Sequence, residues 1–159
     1  MTYDLTQRFS FLVNQVARLH SAHFDRLARE HLGLSLAQCR LIGALARHEG
    51  EVPLSQAELA QHLELSAMGV AALCDRMEAA GWIRREGSAS DRRVKRVRLQ
   101  PRAASAFDEA LRISDDVQAH ALAKLTAAER RQLIALLRKA REGLLAWAPA
   151  TTATAGPAP

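Results

Sequence analysis

Seven of the fifteen residues from Arg84 to Arg98 are basic: Arg84, Arg85, Arg92, Arg93, Lys95, Arg96 and Arg98. Two, Glu86 and Asp91, are acidic, so the stretch RREGSASDRRVKRVR carries a net charge of +5. The whole chain has 22 basic and 17 acidic residues and the same net charge of +5, so the remainder sums to zero. Charge gathered in one segment can hold a polyanion at one place on the surface. Other chemistry is thin. No nucleophile is paired with a base, and there is no Gly-rich phosphate loop or cofactor fingerprint, so neither catalysis nor a cofactor is expected. His20 and His23 lie three apart, a spacing a metal can use, but no Cys or carboxylate immediately beside them completes a ligand set, and no metal site is expected. Cys39 and Cys74 fall among apolar helical neighbours and read as buried, inert thiols rather than a disulfide or redox pair.

The elements that must position the basic segment can be read on either side of it. GSAS, residues 87–90, is turn-like and separates Trp82-Ile83 from Val94, Val97 and Leu99, the pattern of a β-hairpin. Upstream, Ser55 with Glu58 three residues on forms a capping box that opens the helix QAELAQHL. The turn ELS follows, Ser66 caps a second helix, AMGVAALCDRMEAAG, and Gly81 closes it. Residues 55–74 thus have the spacing of a helix-turn-helix. Leu59 and Ala60 lie in its first helix, Leu63 and Leu65 bracket the turn, and Val70 and Leu73 lie in its second. Ala60 is small where two steeply crossed helices approach, and Leu59, Val70 and Leu73 anchor the pair. The N-terminal half of the second helix is left free to enter a major groove about 12 Å wide. A basic hairpin directly after such a pair predicts a winged helix on nucleic acid.

The flanks are helical. Leu5, Phe9, Leu12, Val16, Leu19, His23 and Leu27 recur at spacings of four and three, predicting a long helix over about 5–31 that Gly33 stops. Ser35 caps a helix bearing Leu36, Leu41, Ile42 and Leu45, which Gly50 ends, and Val52-Pro53-Leu54 is a short extended stretch. Pro101 sits in the first turn of a helix that runs to about Lys124. Thr126 with Glu129 forms a capping box for a last helix in which Leu133, Leu137, Ala140, Leu144 and Trp147 share a face. The fold class is mainly α, in keeping with an Ala- and Leu-rich chain that is only 4% aromatic. One domain is expected over 1–147, with a nucleic-acid-binding lobe over about 52–100 and a disordered Pro/Ala/Thr-rich tail over 148–159. No apolar run of about 18 residues is present, so no membrane span is expected. The opening MTYDLTQRFS lacks the layout of a signal peptide, and a cytoplasmic location is expected.

The runs LSLAQCRLIGALARH, LSQAELAQHLELS and LCDRMEAAGWIRREGSASDRRVKRVRL resemble the MarR family of bacterial regulators, and SASDRRVKRVRL is especially similar to its SlyA-like branch. The resemblance spans roughly residues 5–145. It is most specific at Asp91-Arg92-Arg93, after the pair Asp75-Arg76. It implies a homodimeric transcriptional regulator on double-stranded, pseudo-palindromic DNA, with dimerisation helices over about 5–31 and 101–147. It further implies that Arg92 or Arg93 reaches a minor groove while Asp91 orients it, and that Arg76 lies near the DNA backbone or braces the wing. A small aromatic acid effector is also implied, with His20, Phe24, Arg40 and Arg47 as candidate lining residues.

With the residue reading added, the expected DNA-binding set is Ser66, Met68, Arg76, Arg84, Arg85, Asp91, Arg92, Arg93, Lys95 and Arg96. Three departures from the family qualify it. Glu64 stands where a glycine is common in the turn. Gly69, Ala71 and Ala72 replace polar or basic residues of the recognition helix. Gln100-Pro101-Arg102-Ala103 replaces the usual Thr-Glu-Lys-Gly. The bare recognition helix motivates an alternative, a low-specificity DNA binder that antagonises other DNA-coating proteins. A second alternative is a winged helix that contacts protein.

Overall fold

The computed structural model describes residues 4–87 and 94–147. After a 3₁₀ turn at Leu5–Gln7 come helices α1 (Phe9–Leu32), α2 (Leu36–Ala46), α3 (Gln56–Leu63) and α4 (Ala67–Ala79). Strands β1 (Ile83–Gly87) and β2 (Lys95–Leu99) and helix α5 (Arg102–Ala121) follow. The described residues up to His120 form one compact unit, and those from Ala121 on belong to a second that holds helix α6 (Ala127–Ala146). The mainly α fold with a two-stranded wing is the one expected. Among the described residues no helix is long and apolar enough to cross a membrane.

Local signals set most helix ends. Ser35, Ser55 and Thr126 each cap a helix through reciprocal side-chain bonds with Gln38, Glu58 and Glu129, satisfying amide groups that a helix start leaves unbonded. Gly33 ends α1 in the left-handed region at φ 66°, where its N–H donates to the Arg29 carbonyl at 3.1 Å and the Leu34 N–H to that of Ala28 at 3.3 Å. A side chain there would cost backbone strain that glycine avoids. Several bounds differ from expectation. α1 begins at Phe9 rather than Leu5 because residues 5–7 take the tighter turn. α2 stops at Ala46, before Gly50, because the chain turns away once the Arg47 N–H has bonded Gly43 and a His48 ring nitrogen has met the Val52 carbonyl at 2.9 Å. α5 stops at Ala121 rather than Lys124, and Trp147 forms the extended C-cap of α6 rather than part of its face. The turn expected at 87–90 and the tail at 148–159 lie largely or wholly outside the described residues.

The core of the first unit gathers Phe24 and Ala28 of α1, Leu41 and Ile42 of α2, Leu59 of α3, Val70, Leu73 and Met77 of α4, and Ile83 and Val97 of the wing. The helix-turn-helix anchors are among its most enclosed members: Leu59 and Val70 are 0% exposed and Leu73 2%. Ala60 is half-buried and packs against this core. From α5 the core takes Ala103, Ala106, Ala110, Ile113 and Val117, a three-and-four spacing along one face. The extended stretch at 52–54 adds a partial third strand: the Val97 N–H donates to the Leu54 carbonyl at 2.9 Å, and Ser55 bridges Arg96. By contrast, α1 leaves Phe9, Leu12, Val16 and Leu19 exposed, and no residue of α6 is buried.

Glu64 is the only described non-glycine residue with positive φ, at 54°. It ends α3 with its N–H turned back to Gln61 at 3.3 Å, the place where the resemblance led one to expect glycine. Left-handed backbone crowds Cβ against the carbonyl. Glu64→Gly should therefore raise stability by about 0.5–1 kcal/mol, after the loss to unfolded-chain entropy, and the melting midpoint by about 2–4 °C. Thermal unfolding followed by circular dichroism measures it; an unchanged or lowered midpoint contradicts strain at this position.

Candidate nucleic-acid interface

Helix α4, the candidate recognition helix, begins after Ser66. The serine hydroxyl accepts the Gly69 N–H at 3.0 Å, so this side chain is committed to capping α4. Beyond the cap, Ala67 and Ala72 are exposed and Ala71 half-buried, while Met68 is 82% exposed, the most exposed large apolar residue described. Gly69 fits tightly beneath the cap: a Cβ there would stand 3.2 Å from the Ser66 hydroxyl. This accounts locally for one of the small residues that distinguish the helix. Further along, Arg76 is exposed with no ion-pair partner among the described residues.

The wing is a two-stranded antiparallel ribbon in which Ile83 pairs with Leu99, Arg85 with Val97 and Gly87 with Lys95. Its basic residues divide by environment. Arg85 is drawn into the lobe. Its Nε and one terminal nitrogen donate to Glu78 Oε2 at 2.8 and 2.6 Å, its backbone N–H to Oε1 at 2.6 Å, and a guanidinium nitrogen lies 2.7 Å from Asp75. Arg96 donates to the Pro53 carbonyl and to Glu58 Oε2, each at 3.0 Å. One wing strand is thus pinned to α4 and the other to the start of α3. Arg84 and Arg98 both pair with Glu86 on the outer face. Lys95 is exposed with no ion-pair partner among the described residues. Asp91, Arg92 and Arg93 lie outside the described residues.

Charge follows this geometry. The Arg85 side chain, and next its backbone amide, hold Glu78 below the ordinary carboxylate range, and Glu78 in turn raises Arg85. Glu58 is lowered chiefly by the Ser55 backbone and hydroxyl, with Arg96 adding to it. Glu86 is lowered by Arg84 and then Arg98. Bonds to the ionised form favour it, and burial opposes them weakly here.

An interaction that sequence patterns gave no means to find closes the far end of α4. Arg102 donates to the Ala80 carbonyl at 2.8 Å, and its guanidinium carbon lies 3.7 Å from the centre of the Trp82 ring. A cation at a helix C-terminus and on an aromatic face is favourable on both counts.

The candidate effector residues differ in environment. Phe24 is buried in the core and His20 is half-buried four residues earlier on α1. Arg40 and Arg47 instead line a groove of about 590 Å³ between α2 and α3, with His48 and His62. Cys39 and Cys74 are both buried and unpaired. Burial, helped by the charge of Asp25, pushes the Cys39 thiol up to about 11, and burial also raises Cys74. Among the described residues no three His, Cys, Asp or Glu side chains gather as a metal site.

Residues 32–94 match the model of the MarR family. That segment runs from the last residue of α1 through α4 to the foot of β2. Solved structures extend the likeness along the chain. A probable transcriptional regulator from Pseudomonas aeruginosa is 25% identical, with 85% of this chain and 98% of that one covered at a TM-score of 0.70. MepR of S. aureus, crystallised as a complex with DNA, is 22% identical over 86% of this chain and 98% of its own, at 0.73. BpsR of Bordetella bronchiseptica, whose DNA binding is regulated by 6-hydroxynicotinic acid, is 20% identical over 89% and 98%, at 0.73. The fold is therefore the winged helix seen in MarR-type structures.

The carboxylate braces carry a pH signature. Glu78 and Glu58 are lowered in the folded chain, so the unfolded chain binds protons first as pH falls. Their contribution is present above about pH 4.3, the ordinary glutamate value, and is lost as pH falls through the folded values. Between pH 6 and pH 3 the urea midpoint should fall in the natural protein and fall less in Glu78→Gln, which has no carboxylate to protonate there. Parallel curves for the two proteins would show that Glu78 does not brace the wing.

Proposed function

We propose that the protein is a homodimeric transcriptional regulator of the MarR family that binds pseudo-palindromic duplex DNA. In this reading α4 enters the major groove from Ser66 and Met68 onward, and the basic wing over 84–98 lies along the backbone and the adjacent minor groove. The observation that carries it is the fixing of a cationic ribbon to the recognition helix through Arg85, Glu78 and Asp75. The family match over 32–94 and the DNA complex of MepR support it. Exposed apolar faces on α1 and on α6 suit association of two copies, since surfaces of this kind seldom stay bare. The wing's likeness to the SlyA-like branch, a cytoplasmic location and the division into a lobe over about 52–100 and flanking dimerisation helices belong to the same proposal. So does a small aromatic acid as effector. The regulation of BpsR by 6-hydroxynicotinic acid supports it, and Arg40 and Arg47 are its candidate anchors.

The basic residues have separate roles in this proposal. Arg76, Lys95, Arg92 and Arg93 meet DNA, Asp91 orients the wing tip, and Arg84 and Arg98 exchange Glu86 for phosphate. Arg85 and Arg96 act as braces. For every phosphate that the protein no longer neutralises, the log–log dependence of binding on salt should flatten by about 0.9. Arg92→Ala with Arg93→Ala should therefore weaken binding to every duplex and reduce that slope, with folding little changed, because exposed charges contribute little to stability. An unchanged slope in fluorescence anisotropy would remove the wing from the interface.

One observation favours a second reading, of a low-specificity DNA binder. Past the committed Ser66, the start of α4 offers Met68 and alanines, which can touch thymine methyl groups but donate no hydrogen bond to a base edge. Selection of bound genomic fragments followed by anisotropy at one salt concentration separates the two. Specific binding should exceed binding to scrambled duplex by about 10³, the low end of the usual range, with A/T-rich sites preferred. A ratio near about 10⁶ with strict guanine requirements contradicts this, because no Arg or Lys lies early in α4.

A further inference from the structure

α1 emerges from the core of the first unit as a long arm. Its C-terminal part is held by the buried Phe24 and Ala28, while Phe9, Leu12, Val16 and Leu19 stand clear of the core. One side chain ties this arm to α2, which packs against α3 of the DNA-binding lobe. Asp25 accepts the Leu36 N–H with Oδ1 and the Arg29 Nε with Oδ2, both at 2.7 Å. Leu36 is the first residue of α2, and its amide is one that a helix start leaves without an internal partner. Ser35 and Gln38 satisfy each other's amides in the capping box beside it. A carboxylate from α1 therefore completes the N-terminus of α2, and Arg29 fixes that carboxylate's rotation from one turn further along.

We propose that Asp25 is a positioning residue that sets the angle between α1 and the DNA-binding lobe, and through it the half-site spacing the dimer accepts. This rests on the dimeric, DNA-binding reading above, with α1 in the dimer interface. The lever is long. Sixteen residues separate Phe9 from Asp25, about 24 Å at 1.5 Å per residue, so a change of about 10° at the joint moves the arm's end by about 4 Å. That exceeds the rise of about 3.4 Å per base pair along the duplex axis. Two arms related by a two-fold axis double it, against a half-site separation of about 34–36 Å. A joint with slack of this size would accept spacings differing by a base pair or more.

The test measures affinity for duplexes in which the two half-sites of the selected site are moved apart or together by one and two base pairs. The natural protein should show a single optimum, falling by about tenfold or more per base pair of change, as expected when one half-site no longer engages in register. Asp25→Ala should flatten that profile to within about threefold and leave salt-dependent binding to random duplex unchanged. Asp25→Asn, which keeps an acceptor for the Leu36 amide, should restore part of it. Arg29→Ala, which leaves the α2 cap in place, gives the same readout if Asp25→Ala does not fold, and should broaden the profile. A folded Asp25→Ala, or in its place Arg29→Ala, with the natural protein's sharp optimum overturns the role given to this joint. A flat profile in the natural protein overturns the dimeric reading itself, and this inference with it.

Discussion

A two-stranded ribbon has too little of its own to bury, and alone in water it is marginal. Among the described residues, the wing of this protein supplies only Ile83 and Val97 as buried side chains. What holds it in register with the helices is a pair of carboxylates: Glu78 on α4, grasping Arg85 of β1, and Glu58 on α3, grasping Arg96 of β2. Everything that makes the basic surface useful depends on this constraint. Charges on a loose hairpin would meet a polyanion without direction. Pinned on both strands, they present one face while the exposed start of α4 presents the other. Exposed ion pairs contribute little to stability. These are half-buried at the arginine, each arginine reaches more than one acceptor, and their value lies in orientation.

The same arginines show how charge in a sequence divides once it folds. Seven basic residues in fifteen look alike in the chain. In space, two are consumed as braces, two are partly neutralised by Glu86, and Lys95 remains open. The local surplus is real, but among the described residues the charge available to a partner is smaller than the sum suggests.

Much of this architecture was legible. Ser55 and Glu58, Thr126 and Glu129, Ser66 and Gly33 are caps whose chemistry is local, and each marks a helix end that forms. Leu59, Val70 and Leu73 follow the spacing that two crossed helices require, and all three are buried. What could not be read depends on partners distant in sequence. Arg96 reaches Glu58, 38 residues away, and Arg102 reaches Ala80, 22 residues away; no periodicity links such positions. Gly50 looked like a helix stop, yet α2 ended earlier because His48 and Val52 close the loop first. The grouping of His20 and Phe24 with Arg40 and Arg47 came from resemblance; no spacing in the sequence links the two pairs.

The central claim is that the first half of α4 and the braced wing form one surface for duplex DNA. Hydrogen–deuterium exchange with and without a mixed-sequence duplex at low salt tests it directly, because amides covered by a partner or stiffened by it exchange more slowly. Slower exchange confined to residues 66–76 and 84–98, with α6 unchanged, is the predicted result. Slowing centred on other elements, with those two segments unaffected, would contradict it.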